Sequence, residues 1–320
     1  MRVVELWRYP MKSAGGERLD VAEVTADGLV GDRRWACVDD DGVVVSAKQP
    51  RLWERLLQVT VAGGTVRLPD GRTAPLDAGS PGSVGRVGSM GGVGSAGGAG
   101  SVGGVGSVAG TGSAGGAGSG SGAGSAGGVG SANGAVGGVA GAGVLLSSWL
   151  GRRVAVTDVV PDGAVLHRFW PREPDMIPSW AAGAEAGSDV LSAIGSGRFH
   201  DFGAVHVVTT GALARLGEVH GAAVDHRRFR PNLLLDLPGD PAPGDVVRVG
   251  GVRLRVLVPT PRCVVPSLGH GGGSGDTGLL RTLARHYRMP VGDFGTAACF
   301  GWYAAVEQPG RIEAGQSGRS

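Results

Sequence analysis

The sequence feature that most limits what this chain can fold into is a long tract of small residues. Residues 79–143 are nearly all Gly, Ser, Ala and Val, hold 29 of the 63 glycines, and contain one charged residue, Arg86, and no aromatic residue. Such a tract buries too little apolar surface to offset the entropy lost on ordering. No lysine or strand-to-helix context accompanies the glycines, which disfavours a phosphate-binding loop. We therefore predict a disordered insertion over residues 78–143.

Composition excludes several classes of function. The net charge is +2 over 320 residues, and basic residues cluster only in short groups such as Arg33-Arg34. Nucleic-acid binding needs a concentrated basic face, which is missing here. No apolar run has the length of a signal peptide or a membrane span. The chain is therefore predicted to be soluble and cytoplasmic, with no nucleic-acid partner and no membrane contact.

The three cysteines suggest a reducing compartment and at most one functional thiol. An odd count without a CxxC pair argues against a disulfide framework and a structural zinc site. Cys37 and Cys299 lie in apolar strand contexts and are predicted to be core residues. Cys263 follows two prolines in VPTPRCVVPS, and prolines do not extend a sheet, so a fixed loop or rim is expected. Arg262 beside it favours the thiolate, the form that binds soft metals, while a small buried hydrophobe remains the alternative.

Alternating apolar and polar residues between turn signals predict many short strands and few helices. Helices are expected at residues 144–150, 211–219 and 279–288. Strands are expected at residues 2–8, 19–25, 34–39, 43–46, 56–61, 64–68, 153–159, 204–208, 232–236, 246–249, 252–258 and 300–306. This pattern lacks alternating βαβ units and indicates a mixed, β-rich (α+β) fold of barrel-like kind.

Basic side chains recur beside predicted turns of the first half. Lys12 and Ser13 follow a strand and a proline turn, a reasonable grip for a phosphate. Arg33 and Arg34 begin a predicted strand with their side chains on opposite faces, so at most one of them faces a given site. A solvated charged surface remains the alternative for both pairs.

Similar groups recur in the second half. Arg230 and Asn232 are two residues apart and share one face of an extended segment, where the arginine fork suits phosphate or carboxylate. A solvated arginine run is the alternative for this pair. Thr209 and Thr210 place two hydroxyls at a predicted helix start, a natural anion site. The histidines are scattered without metal-ligand spacing, which disfavours a zinc hydrolase.

These motifs occur in an order that resembles the MOSC family, named for the C-terminal domain of molybdenum cofactor sulfurases. The chain looks most like the branch with an extra N-terminal β-barrel, which includes the amidoxime-reducing molybdenum enzymes. The resemblance rests on LWRYPMKS, GLVGDRRWACVD, FHDFGAVHVVTTGAL, DHRRFRPNLLLD, PTPRC and FGWYAAVEQPGRIEAG. It implies an N-terminal β-barrel domain over residues 1–77, completed by residues 144–160, packed on a MOSC β-barrel domain with a few helices over residues 161–320.

The resemblance also implies roles for individual residues. Cys263 matches the family's thiol, which ligates molybdenum in the reductase branch and is thought to handle sulfur in the sulfurase branch. The molybdenum cofactor (molybdopterin) would be held by residues from both halves, namely Lys12, Ser13, Arg33, Thr209, Thr210, Arg230, Asn232 and Arg262. Pyridoxal phosphate binding enters only as an association of the wider family.

The leading functional expectation is a molybdenum oxidoreductase that reduces N-hydroxylated small molecules. The chain lacks an aminotransferase-like domain and a C-terminal cysteine cluster, so a complete sulfurase is disfavoured and a separate electron-donor protein is expected. Two alternatives stay open: a carrier that holds the cofactor without turnover, and a sulfur-transfer protein with a persulfide on Cys263.

Overall fold

The computed structural model describes residues 1–76, 138–194 and 198–317. The predicted insertion lies outside these residues except at its C-terminal end. The chain before the insertion forms short strands and one helical turn, which are β1 (Val3–Arg8), β2 (Glu17–Leu19), β3 (Val21–Thr25), β4 (Gly28–Leu29), β5 (Ala36–Val38), α1 (Pro50–Trp53), β6 (Thr60–Ala62), β7 (Thr65–Arg67) and β8 (Thr73–Pro75).

The chain after the insertion begins with a helix and includes the longest strands. Its elements are α2 (Val139–Leu150), β9 (Ala155–Thr157), β10 (Val165–Phe169), β11 (Asp189–Ala193), β12 (Val205–Thr209), α3 (Thr210–His220), β13 (Leu233–Leu235), β14 (Val246–Val249), β15 (Val252–Pro261), α4 (Thr277–His286), β16 (Arg288–Pro290), β17 (Thr296–Gln308) and β18 (Gly310–Glu313). Short 3-10 turns connect several of them.

An eight-stranded sheet organises the molecule. Its strands lie in the order β14-β15-β17-β12-β13-β1-β2, and β16 pairs separately with β17. The pair β12 and β13 is parallel, and the other pairs are antiparallel. In β15 buried side chains alternate with more exposed ones, as expected for a strand with one face on a core. The sheet therefore joins β1 and β2, from the start of the chain, to strands that follow the insertion.

Smaller sheets complete the β structure. They are β18-β3-β4, β5-β9, β10-β11 and β6-β7-β8. The mixed, β-rich fold class is thus confirmed, with helices in the minority. In the part of the chain that the structure describes, no sheet closes on itself through its edge strands.

The hydrophobic core is divided among several clusters. One lies in the N-terminal half and packs Met11, Trp35 and Trp53 against α2 through Leu146 and Leu150. A second cluster packs side chains of β1 and β3 together with β12, β13, β15 and β17. The predicted boundary at residue 77 stays a prediction, and β1 and β3 share a core with the C-terminal strands.

The long strand β17 supplies side chains to three hydrophobic clusters. Phe300 packs against α3 and α4, whereas Trp302 packs in the cluster of β1 and β15. Gly301 lies between them with φ of +68°, and a Cβ there would stand 2.5 Å from the carbonyl oxygen of Val207. Only glycine therefore fits at this position of β17 beside β12.

Helix α2 begins five residues earlier than the sequence pattern predicts. Val139 starts the helix, and Ala142 and Leu146 on one of its faces are fully buried against the N-terminal core. Tertiary packing therefore orders the end of the glycine-rich tract, which local propensity alone would leave unordered. Among the described residues, no helix combines the length and apolar character needed to cross a bilayer.

Candidate functional site

Two lysines share one carboxylate oxygen. Lys12 Nζ lies 2.9 Å and Lys48 Nζ 2.7 Å from Oδ1 of Asp201, and Lys12 also donates to the carbonyl of Phe199 at 3.1 Å. Both lysine side chains are almost buried, whereas the Asp201 side chain is 42% exposed. Burial lowers the pKa of Lys12. Burial alone would raise the pKa of Asp201, but the ammonium groups of Lys12 and Lys48 hold it well below its usual range.

A second basic group stacks on a buried tyrosine. The guanidinium carbons of Arg33 and Arg230 lie 4.7 Å and 4.3 Å from the ring centroid of Tyr9. Arg33 pairs with the buried carboxylate of Asp32 and donates to the carbonyl of Arg230 at 3.1 Å. The other oxygen of Asp32 accepts from the Tyr9 amide at 2.7 Å. Burial, and after it the charge of Arg33, lowers the pKa of Arg230 to about 10.

His206 connects this group to Arg262. The guanidinium of Arg262 contacts Nε2 of His206, and Nδ1 of the same ring lies 3.3 Å from the carbonyl of Arg230. A guanidinium can only donate, so Nε2 accepts and Nδ1 carries the proton that is donated to Arg230. Burial, followed by the positive charge of Arg262, keeps the pKa of His206 well below its usual range. His206 is therefore neutral and its tautomer is fixed by its neighbours.

Three residues of the site adopt a backbone conformation that side chains normally avoid. Ser13, Arg33 and Arg230, with φ of +62°, +45° and +56°, are the non-glycine residues with positive φ in the described chain. All three belong to the residues expected to hold the cofactor. The Ser13 hydroxyl accepts from the Ala47 amide at 3.0 Å. Strained backbone persists where its surroundings enforce it and clusters at functional sites.

Cys263 lies in the turn after β15 and differs from the other two cysteines in its exposure. It is free and partly exposed, whereas Cys37 and Cys299 are free and buried. Burial raises the pKa of both buried thiols to about 12, so they stay protonated at neutral pH. The prediction that Cys37 and Cys299 are core residues is thus confirmed, and Cys263 is the thiol that a ligand can reach most easily.

Arg262 holds the turn that carries Cys263. Its amide donates to the carbonyl of Ala298 on β17 at 2.8 Å. Its side chain donates to the carbonyls of Phe300 at 2.9 Å and Phe229 at 3.2 Å. Backbone and side chain of Arg262 therefore tie the turn to β17 and to the segment before Arg230, which places the thiol on a held turn.

The glycine-rich loop that follows Cys263 is tied down by Arg228. Its guanidinium donates to the carbonyls of Pro266, Leu268 and Ser274 at 3.2, 3.0 and 2.8 Å. The three bonds hold this loop against the segment that carries Arg230.

Three of the residues expected to hold the cofactor form hydrogen bonds within the protein. The side-chain amide of Asn232 accepts from the His206 amide at 3.0 Å and donates to the Trp7 carbonyl at 3.3 Å, joining β12 to β1. Thr209 caps α3, accepting from the Ala212 amide and donating to Asp240. Thr210 donates to Asp236 at 3.3 Å. The helix start proposed as an anion site thus has its hydroxyls engaged within the described chain.

Sequence reasoning missed several members of the site. Lys48, Asp201 and His206 were not singled out, although they contact Lys12 or Arg262 directly or share a partner with them. A signal existed for Lys48, which is a lone cation in the stretch VVVSAKQP, two residues before a proline. No local pattern marks Asp201 or His206, because their roles come from contacts across the fold.

The site carries more positive than negative charge. Five cations, Lys12, Lys48, Arg33, Arg230 and Arg262, are accompanied by the carboxylates of Asp32 and Asp201. In the described chain, neither Arg230 nor Arg262 forms an ion pair with a carboxylate. Partly buried cations without counter-charges are costly, and an anionic ligand would offset that cost. We call these five side chains the cation centre, and their chemistry fits the phosphate of a pterin cofactor.

Protein-family comparisons match both halves of the chain. The model of the MOSC N-terminal beta barrel domain matches residues 1–79, and the model of the MOSC domain matches residues 195–318. Among the described residues, no three His, Cys, Asp or Glu side chains are grouped so that they could hold a metal ion.

Curated relatives match short stretches. The human mitochondrial amidoxime-reducing component 1 is 41% identical over 71 residues, which are 21% of this chain and 20% of that protein. The bovine mitochondrial amidoxime reducing component 2 is 45% identical over 51 residues, 15% of each chain. The chain thus matches a fifth or less of these relatives' length. The solved structure of the YuaD protein from Bacillus subtilis covers 43% of this chain and 69% of its own, with 13% identity and a TM-score of 0.28.

Proposed function

Because the chain belongs to the MOSC family, joining a MOSC N-terminal beta barrel domain to a MOSC domain, we propose that it is a molybdenum-cofactor-dependent oxidoreductase. Its substrates would be N-hydroxylated small molecules, and Cys263 would be the protein ligand of the metal. The amidoxime-reducing relatives support this reaction class for the stretches that they share with the chain.

The observation that carries the proposal is the cation centre. Lys12 and Arg33 come from the N-terminal match, and Arg230 and Arg262 come from the MOSC match. Their excess positive charge calls for an anion, and molybdopterin has a phosphate. Cys263 follows Arg262 directly and is the partly exposed cysteine of the three. An anion held by the arginines would thus lie beside an accessible thiol.

The residues of the chain have distinct tasks in this proposal. When bound, the molybdenum cofactor would supply two-electron redox chemistry. Arg230 and Arg33 would bind the anionic part of the cofactor, oriented by their contacts with Tyr9 and with each other. Neutral His206 would hold Arg262 in place by accepting its hydrogen bond. Reduction of an N-hydroxyl group consumes two electrons and two protons and releases water, so the reaction needs an electron donor.

Metal analysis tests the ligand assignment. Wild type, Cys263→Ala and the control Cys299→Ala are purified from a host that makes the cofactor, and molybdenum per chain is measured. Near one metal per chain is expected in wild type and in Cys299→Ala, since Cys299 is buried. A marked loss is expected in Cys263→Ala. Equal metal content in Cys263→Ala and wild type would contradict thiolate ligation.

An activity assay tests the reaction class. The loaded protein is mixed with reduced methyl viologen and benzamidoxime, and benzamidine formation is followed. Turnover in wild type and its loss in Cys263→Ala are expected. Full metal content without turnover would contradict the oxidoreductase proposal and leave a cofactor carrier. Absence of metal together with a persulfide on Cys263 would instead favour sulfur transfer.

A further inference from the structure

Exposed aromatic side chains gather at one place on the surface. Among the exposed large hydrophobic residues of the described chain, the aromatic ones are Trp180, Phe202 and Phe294, which are 43%, 52% and 41% exposed. The ring centroids of Phe294 lie 6.3 Å from Trp180 and 5.9 Å from Phe202, both in edge-to-face geometry. We call these three side chains the aromatic shelf. Exposed rings gathered into one patch are typical of binding surfaces.

Contacts between separate segments hold the shelf. Trp180 follows Ser179, whose hydroxyl accepts from the Thr296 amide at 2.8 Å and so joins this turn to the start of β17. Phe202 precedes Gly203, where a Cβ would stand 2.6 Å from Cβ of Tyr303. A glycine is therefore needed for the Phe202 segment to lie against β17. The rings are positioned by the fold before any ligand arrives.

The shelf is continuous with the cation centre. The ring of Phe202 lies 5.8 Å from Tyr303, and Tyr303 lies 5.5 Å from His206, which contacts Arg262. Phe202 also follows Asp201, the carboxylate shared by two lysines. Because Cys263 follows Arg262 in the chain, the contacts from Phe202 through Tyr303 and His206 to Arg262 lead toward that thiol.

The size of the shelf favours a small ligand over a protein. Aromatic side chains bury roughly 150–250 Å² each, so three that are about half exposed offer roughly 300 Å². A stable protein interface buries about 800 Å² on each partner. The shelf instead matches one face of a molecule with one or two rings. The apolar faces of the three rings suit stacking with another ring.

From this continuity we propose that the aromatic shelf binds the flat, neutral aromatic body of the substrate and directs its N-hydroxyl end toward Cys263. This inference rests on the proposed function and adds the shape and polarity of the substrate. Stacking on Phe202 and Phe294 would favour aromatic over aliphatic N-hydroxylated compounds by about tenfold.

A matched pair of probes tests the shelf by binding. Benzhydroxamic acid and acetohydroxamic acid carry the same N-hydroxyl head on a ring and on a methyl group, and calorimetry gives the ratio of their dissociation constants. A ratio of about ten is expected in wild type, near one in the double variant Phe202→Ala/Phe294→Ala, and unchanged in the control Leu191→Ala. Leu191 is 57% exposed on β11 and lies outside the shelf.

Measuring the same ratio in Cys263→Ala separates this inference from the proposed function. A ratio of about ten in wild type and Cys263→Ala, whether or not either holds molybdenum, supports the shelf. An unchanged ratio in a folded double variant overturns it, even if wild type is fully loaded and active. Phe202→Leu and Phe294→Leu, which keep apolar bulk but lose the ring, replace the alanines if the double variant fails to fold. An unchanged ratio together with slower reduction by a protein donor would overturn the shelf as a substrate site and assign it to protein docking.

Discussion

At the scale of single residues, two arginines of the cation centre combine strained backbone with positive charge. Ser13, Arg33 and Arg230 hold left-handed backbone, and the two arginines also stack on one buried ring. A non-glycine residue in that conformation costs about 1–2 kcal/mol. The fold bears this cost where it brings like charges together, which suits a site built for an anionic ligand.

Substitution at Ser13 separates the strain from its hydrogen bond. Ser13→Ala loses the bond to the Ala47 amide and keeps the positive φ, so a loss of about 1 kcal/mol is expected. Ser13→Gly loses the same bond but removes the strain, so it should be about 1 kcal/mol more stable than Ser13→Ala. Urea unfolding of the three proteins measures this order. Equal stability of the two variants would contradict a strained Ser13.

Asp201 should make stability depend on pH in acid. Its pKa in the folded protein is held well below the unfolded value of about 3.9. Its pairing with Lys12 and Lys48 therefore contributes fully above about pH 4 and is lost as the pH falls through the folded pKa. The stability difference between wild type and Asp201→Asn should be constant from about pH 7 to 5 and shrink below about pH 4. A difference that persists unchanged to about pH 3 would contradict the pairing.

The sequence predicts some residues of the site but not their partners. The sequence predicts that Arg33 and Arg34 begin a strand with opposite directions, but the structure has both before β5, with Arg33 in left-handed backbone. Arg33 lies on Tyr9 and Arg34 reaches Asp158 because of this turn and not because of strand alternation. Asp201 lies 189 positions from Lys12, and no local pattern specifies that contact. The roles of the predicted cofactor residues stay predictions.

At the scale of elements, period and turn signals locate the long strands well. The strand predicted at residues 246–249 has the observed bounds, and the strand predicted at 252–258 extends to Pro261. The pattern missed β10 and β11, because the burial of β10 alternates irregularly and β11 (DVLSA) has its apolar residues Val190 and Leu191 side by side. Weak alternation leaves a strand without a period that sequence can show.

The packing of α2 predicts its contribution to stability. Leu146 is fully buried in the N-terminal core, so Leu146→Ala should cost about 2–5 kcal/mol. Val144 on the same helix is 66% exposed, so Val144→Ala should stay within about 0.5 kcal/mol. Thermal unfolding of both variants gives the comparison. Similar melting temperatures would show that α2 does not pack as described.

At the scale of the whole molecule, the ends of the chain meet in shared sheets. β1 pairs with β13, and β3 pairs with β18, so the first strands complete a core formed by the last ones. Composition predicts where the chain is interrupted, but the pairing depends on contacts between distant segments. The two halves therefore form the cation centre together.

The start of α2 at Val139 limits how much of the glycine-rich tract can be deleted without loss of stability. Helix α2 packs on β8, so the elements on either side of the glycine-rich tract are neighbours. Removal of residues 80–136 should keep cofactor content and lower stability little, because long insertions contribute little. Removal of residues 80–142 also deletes the first turn of α2 with buried Ala142, and should lower the melting temperature. Equal melting of the two deletions would contradict a structural role for residues 139–142.

Because the cation centre has excess positive charge, binding of an anionic ligand should raise the melting temperature of the protein. Without an anion, Arg230 and Arg33 repel each other at close range, and this repulsion weakens the empty protein. A ligand that binds only the folded chain adds stability in proportion to the logarithm of its concentration, about 2.7 kcal/mol at a hundredfold excess over its dissociation constant. Molecules with and without the ligand in one preparation should therefore unfold in two separate thermal steps. The relative sizes of those steps would give the fraction of molecules that had bound the ligand in the cell.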